Sequence, residues 1–464
     1  MKYKHVIKAL RPARLAAALL TLSLLGGCGG AQGSGAQSKY VEVSETYSYT
    51  PIQGSSTSGT FSVGPDGTLT RATGSFLYFA PKNLTGSLQV AAVTDDDHKY
   101  YLAARKDGRE FYTDTEHTPY VFVTAPLGDA FCYTRRKKEN DPRKQLAGDL
   151  VLVRGEEAVT LSEILESRIE PVFSVDGAHL LYTETDDGIY RLKHFNGTET
   201  TDVAASADMI YPVHVTNDGR CLVYMQGSRR DFVMIGVTDG KKTELGSATP
   251  APFTGGGTAC INADGSQYFL AHSDGMHLYK NGEKIATADP MPAYFFAPYG
   301  AETWHSMGGF VQSQYVGVRD FRDTVYLNRG ALYRLDESYA PGQVAGGVTN
   351  FLDITLLSDG NTVLYQKEDT DGLFRTDTSA ETPAEEQLTD MAVSAFAYYE
   401  KEKRLLWQSE GKFYTKAEGA EPEEITDVTP GEGWHKIVAR PQFVIIFNAE
   451  DVWFSTDGKQ FRQL

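Results

Sequence analysis

Apolar and polar residues along this chain come in short bursts rather than at a helical period. An apolar pair with an aromatic is followed by a tight polar turn and a second apolar-aromatic stretch. The clearest case is Pro171–Leu192, PVFSVDGAHLLYTETDDGIYRL. VFSV, HLLYT and GIYRL read as three strands. Asp176-Gly177 and Asp186-Asp187-Gly188 read as turns, because Asp-Gly between apolar runs supplies the positive φ a tight hairpin needs.

The pattern recurs. Copies begin at Leu180, Leu222, Tyr268, Val325, Val363, Leu405 and Val444, and a looser one begins at Phe131 with a long polar insertion. Their starts lie 49, 42, 46, 57, 38, 42 and 39 residues apart. After several hairpins comes a Glu with a short apolar-Thr strand: EEAVT at Glu156, EKIAT at Glu283, EQLTD at Glu386 and EEITD at Glu423. Four short strands in about 40 residues make one propeller blade. A blade cannot bury both faces alone, so copies must stack in a ring. The expectation is an all-β fold, a β-propeller of seven or eight four-stranded blades, with eight favoured, over residues 126–464. Residues 40–125 are strand-rich but off period, and are expected to close the ring, add a blade or form a cap.

The first residues read differently. MKYKHVIKALRPAR is positively charged, and LAAALLTLSLLGG is an apolar run of 13 residues, too short to span a bilayer. Leu25-Gly26-Gly27-Cys28 resembles the bacterial lipobox. The resemblance implies cleavage after residue 27, lipid attachment at Cys28 and a lipid-anchored, extracytoplasmic location on the cell membrane. Residues 28–39 then form a flexible polar tether.

The net charge of −17 becomes −22 once the leader is removed, which argues against nucleic acid as a partner. Beyond Cys28 the cysteines are Cys132, Cys221 and Cys260, an odd number that allows at most one bridge. Cys132 and Cys221 occupy apolar positions of the repeat and read as small core residues.

Candidate chemistry is sparse. No G-x-S-x-G, H-E-x-x-H or Walker loop occurs, and the ten His residues are not paired at ligand spacing. His179 and His277 read as packing or surface residues. Asp95-Asp96-Asp97 and Asp369-Thr370-Asp371-Gly372 lack the distal Glu of a calcium loop and read as turns. Ser455-Thr456-Asp457-Gly458 departs from the sialidase Asp-box by one place and also reads as a turn. Arg135-Arg136-Lys137-Lys138 with Arg143 and Lys144 reads as a solvated basic loop. No metal, cofactor or catalytic residue is expected.

The 57-residue spacing between Tyr268 and Val325 is the main irregularity. It contains DPMPAYFFAPYGAETWHSMGGF, read as a loop at the channel mouth. Tyr294, Phe295, Phe296, Tyr299, Trp304 and His305 are its candidate ligand-binding residues.

VFSVDGAHLLY, VTNDGRCLVY, INADGSQYFLA and LLSDGNTVLY resemble the S-x-D-G-x-x-apolar-x-Tyr repeat of TolB-type propellers, a repeat also met in prolyl-oligopeptidase-like peptidases. The resemblance implies the blade and not an activity. The resemblance is confined to the repeats, so neither the hydrolase activity of those peptidases nor the partner set of TolB is expected to carry over. The reading is a WD40-like, monomeric, non-catalytic scaffold binding protein, peptide or glycan. The rival is a glycan hydrolase or lyase using channel carboxylates.

Overall fold

The computed structural model describes residues 41–464 apart from short stretches, the longest being 48–56, 80–87, 137–146 and 249–258. The hairpin grammar becomes paired strands. Leu180–Asp186 runs antiparallel to Ile189–Phe195, with Asp187 (φ 47) and Gly188 (φ 78) at the turn. The preceding Asp-Gly turn is pinned by side chains. Ser174 Oγ donates to Asp176 Oδ1 at 2.7 Å, which also accepts from the Ala178 amide, while the His179 amide donates to Ser174 Oγ. Thr216, Asp218 and Cys221 repeat the arrangement. Such Asx and hydroxyl turns satisfy backbone donors that no ladder reaches. The Val325 and Leu405 copies lack the Asp-Gly. The 3-10 turns Phe321–Asp323 and Glu400–Glu402 lead into their second strands instead.

Among the described residues the strands form eight hydrogen-bonded sheets in chain order: one of six strands, one of eight, one of four, one of six, and four of four. The first spans Val41–Asp114. The second comprises two successive four-stranded meanders, Pro119–Glu166 and Val172–Ser206, joined by a single bridge between Leu165 and Glu184. The third is Met209–Ala248, the sixth Ile354–Thr389, the seventh Ala395–Ile425 and the eighth Lys436–Gln463. Each hairpin copy supplies the second and third strands of a meander.

The sheets are layered radially. First strands are buried, as Met209–Val215 is almost throughout, or half-buried, as Ala395–Tyr399 and Lys436–Ala439 are, whereas last strands such as Thr200–Ser206, Glu385–Thr389 and Arg462–Gln463 are largely exposed. First strands also touch one another: Val172–Phe173 lies against Met209–Val215, Tyr294–Phe296 against Ile354–Leu356, and Ala395–Tyr399 against Lys436–Ala439. The apolar core is therefore a series of seams between neighbouring sheets. Leu406 and Phe413 of the seventh meet Val444 and Trp453 of the eighth. Phe269 and Met276 of the fourth meet Phe321 and Tyr326.

The last seam joins the chain's two ends. Val63 and Leu69 pack on Phe443, Ile445 and Phe454, and Arg462 donates to the Asp66 carbonyl at 2.9 Å. A ring so closed gives each sheet a neighbour on both faces. This is the arrangement of a β-propeller.

A buried aromatic anchors most second strands: Tyr133, Tyr182, Tyr224, Tyr326, Tyr365 and Trp407. Several stack on a third-strand ring, as Trp407 does on Tyr414 with centroids 5.5 Å apart. Burying one such side chain stabilises by about 1.5–3 kcal/mol. Cys132 is buried and Cys221 half-buried, and both are free thiols. Arg135 departs from the expected solvated loop. It lies in the Ala130–Arg136 strand with its Nε on Asp114 Oδ2 at 3.0 Å, which ties the second sheet to the first.

Candidate functional site

The fourth sheet breaks the common plan. Its regular part runs Ala259–Asn262, Gln267–His272, Gly275–Lys280 and Glu283–Ala288. The inner side of its first strand is not left open. Phe310–Tyr315 pairs with it in parallel, Ala259 opposite Gln312 and Asn262 opposite Tyr315. Glu302–Met307 pairs antiparallel with that strand and forms the end of the sheet. Phe310–Tyr315 also lies against Met209–Val215, the first strand of the third sheet. The added hairpin thus sits among first strands, on the axial side of the ring.

Its origin in the chain explains the parallel pairing. Tyr294–Phe296 is already the first strand of the fifth sheet, paired with Val325–Leu327. The chain then returns to the fourth sheet for 302–315 before rejoining the fifth at Val325. The extra residues are therefore an insertion between the first and second strands of one sheet. A parallel pair needs such a long crossover.

This corrects the reading of the whole stretch as a loop. Tyr294, Phe295 and Phe296 are strand residues opposite Leu327, Tyr326 and Val325. Trp304 and His305 lie in the terminal inner strand, opposite Ser313 and Gln312. The two groups belong to different sheets. Tyr299 and Cys28 lie outside the described residues, as do Asp95, Asp96 and Asp97. Asp369, Thr370 and Asp371 are an exposed turn.

The polar clusters elsewhere mostly hold strands in place. Asp114 accepts from the Tyr133 hydroxyl at 2.6 Å and from Arg135, and pairs with His117. Burial would raise its carboxyl pKa, but these partners outweigh burial and hold it below the usual range. Asp320 behaves alike. Burial opposes ionisation, yet Arg322, Gln267 and Tyr339 donate to it and hold it well below the carboxylate range. Each is surrounded by donors that favour the carboxylate, so neither is poised to carry a proton.

One cluster is of another kind. His272, Asp274 and His277 bracket the turn between the second and third strands of the fourth sheet. Their ligand-type atoms lie within 4.8 Å of one another. The imidazoles stack at 3.9 Å between centroids. Sequence reading missed this pairing. The usable signal was H-S-D-G-M-H, in which a two-residue turn sets Gly275 opposite His272 and leaves His277 diagonally across the strand pair from it, on the same face.

Comparison with known protein families finds no match, and comparison with curated proteins finds none. Among solved structures, the chain is similar to a eukaryotic initiation factor at a TM-score of 0.50 and 9% identity, covering 84% of this chain and 96% of that one. It is also similar to the β-propeller domain of Cps50 (Swd1) from Myceliophteria thermophila, at a TM-score of 0.32 and 11% identity over 67% of this chain and 96% of that one. A putative TolB from Agrobacterium tumefaciens gives 0.26 and 12% over 45% and 82%. The first likeness shows the fold alone, and the other two add nothing to it.

Proposed function

We propose that this chain is a lipid-anchored, extracytoplasmic propeller that acts as a non-catalytic scaffold and binds a protein, peptide or glycan at the axial side of the ring. The observation that carries the reading is the hairpin 302–315, added to the inner edge of the fourth sheet. A propeller needs no such strands to close. Its terminal strand, Glu302–Met307, has no further strand beyond it among the described residues. An edge strand of this kind offers backbone donors and acceptors to an extended segment, and an extended peptide is the occupant that matches them. Trp304 and His305 sit on that strand. Anchoring rests on the sequence Leu25-Gly26-Gly27-Cys28.

We further propose nine blades. Eight correspond to the repeat copies, and the ninth is Leu69–Asp114, whose four strands follow the same antiparallel order and stand between the Lys436–Gln463 and Pro119–Glu166 meanders.

The test is a peptide and glycan array probed with the full chain and with a variant in which residues 302–315 are replaced by a short Gly-Ser link. The expected result is binding by the parent that falls at least tenfold in the variant. Equal binding by both, no binding by either, or turnover of a glycan by the parent would overturn the reading. Cys28→Ser is expected to abolish metabolic labelling with a fatty acid. Retained labelling would overturn the anchor.

A further inference from the structure

The His272–Asp274–His277 cluster carries an inference independent of the channel. We propose that it is a binding site for one divalent transition-metal ion of the zinc class, held by two imidazole nitrogens and one carboxylate oxygen. The ligands lie on a tight turn, His272 ending one strand and His277 lying in the next, with Asp274 at the tip.

Three observations point to a cation site. First, His272 Nε2 is buried and has no hydrogen-bond partner. A buried imidazole nitrogen without a partner costs free energy that a ligated metal would recover. Second, His277 Nε2 is approached from two sides by groups with opposite demands. Asp274 Oδ1 lies 2.9 Å away and can only accept. Lys284 Nζ lies 3.1 Å away and can only donate. A protonated Nε2 satisfies Asp274 and opposes Lys284, and a bare one does the reverse. A metal ion removes the conflict, because it binds the nitrogen lone pair and the carboxylate together. Third, the imidazoles are already within one coordination sphere's reach of each other and of the carboxylate.

Two small movements complete the site. Lys284 is exposed, so its long side chain can swing into water. The rings, stacked with 17° between planes, must rotate about their terminal side-chain torsions to aim their lone pairs at one point. Such torsions are soft. Two nitrogens and one oxygen favour zinc, cobalt, nickel or copper over calcium or magnesium. Three protein ligands on a turn leave a fourth position for water or for a donor group of a bound molecule.

The test uses the full chain in detergent, without a histidine tag, stripped of metal and then titrated with Zn²⁺ or Co²⁺ alone. The expected result is one equivalent of Zn²⁺ retained after dialysis, and with Co²⁺ a visible ligand-field spectrum. His272→Ala and His277→Ala should each weaken binding by about tenfold or more. Asp274→Asn replaces an exposed side chain and leaves the fold intact, so it guards against misfolding; it should weaken Co²⁺ binding and shift the spectrum. Lys284→Met should strengthen binding several-fold, a change that no loss of folding could mimic. No retained metal in the parent, or equal retention by a His272→Ala/His277→Ala variant, overturns the proposal.

Discussion

The seventh sheet and the fourth start from the same hairpin grammar and end differently. In the seventh, LLWQSEGKFYT becomes two strands of a plain meander of four. Trp407 is fully buried against Tyr414, and the Ala395–Tyr399 strand faces its neighbour Lys436–Ala439. In the fourth, the same grammar builds the same four strands, with Tyr268 stacked on Tyr279 at 5.1 Å. Two more strands are then added on the inner side, and a histidine-aspartate turn caps the second and third. The repeat makes scaffold wherever it is kept. In the fourth sheet the departures add an edge strand with no further strand beyond it among the described residues, and leave the buried His272 Nε2 without a hydrogen-bond partner.

The comparison breaks most severely at the anchors. Trp407→Ala is expected to destabilise by about 3–5 kcal/mol, since it empties a seam that cannot fully collapse. Urea denaturation would register this as a large drop in midpoint. A loss under 1 kcal/mol would mean that the seams are looser than their burial indicates.

The next effect is a loss of stability in acid, seated in the third sheet where it meets the fourth. His214, in the strand beside the fourth sheet's first turn, is fully buried, and its ring lies 3.3 Å from where a Cβ on Gly265 would stand. Burial lowers its pKa to about 4, although the Asp264 charge pulls the other way. The unfolded chain binds that proton near pH 6.5. A folded value below the unfolded one gives stability that is present above about pH 6.5 and is lost as pH falls toward 4. The loss reaches about 3 kcal/mol for one such group. His194, lowered to about 4 by burial and by His179, acts in the same direction. Unfolding curves measured from pH 7 to pH 4 should show the fall, and His214→Gln should flatten it. An unchanged slope would remove His214 as the cause.

A smaller effect sharpens the likeness. Gly282 in the fourth sheet (φ 87) and Gly411 in the seventh (φ 81) close tight turns with open space around them. Alanine at either is expected to cost about 1–2 kcal/mol through the left-handed backbone alone. Equal midpoint shifts would show that local rules are shared. A larger cost at Gly282 would tie the turns of the fourth sheet to its added strands.

The smallest perturbation is hydrogen exchange. Amides of Arg404–Ser409, inside the seventh sheet, should exchange far more slowly than those of Glu302–Met307, at the end of the fourth. Comparable protection would mean that something covers that edge.

Much of this was legible in the chain. Asp-Gly turns, the buried aromatic in each hairpin and the spacing of about 40 residues state a local requirement: short strands whose two faces both need neighbours. That requirement leads to a propeller because only a ring supplies a neighbour to every sheet. The strands of Leu69–Asp114 were legible but their place was not, since they lack the period of the repeat while following its antiparallel order. The aromatics from Tyr294 to Trp304 were legible as an irregularity and not as a shape.

What the sequence determined by itself is whatever depends on neighbours along the chain: turn positions, hairpin pairs and the periodic aromatic anchors. Turn geometry and alternation act over a few residues, so a few residues suffice to read them. Only the tertiary structure decided that residues 302–315 return to the inner edge of a sheet the chain had already left. It also decided that Arg135 turns inward to Asp114, and that Val63 meets Phe454 across nearly the whole chain. These contacts depend on which surfaces remain unburied once the local elements exist, and that is settled by packing in space.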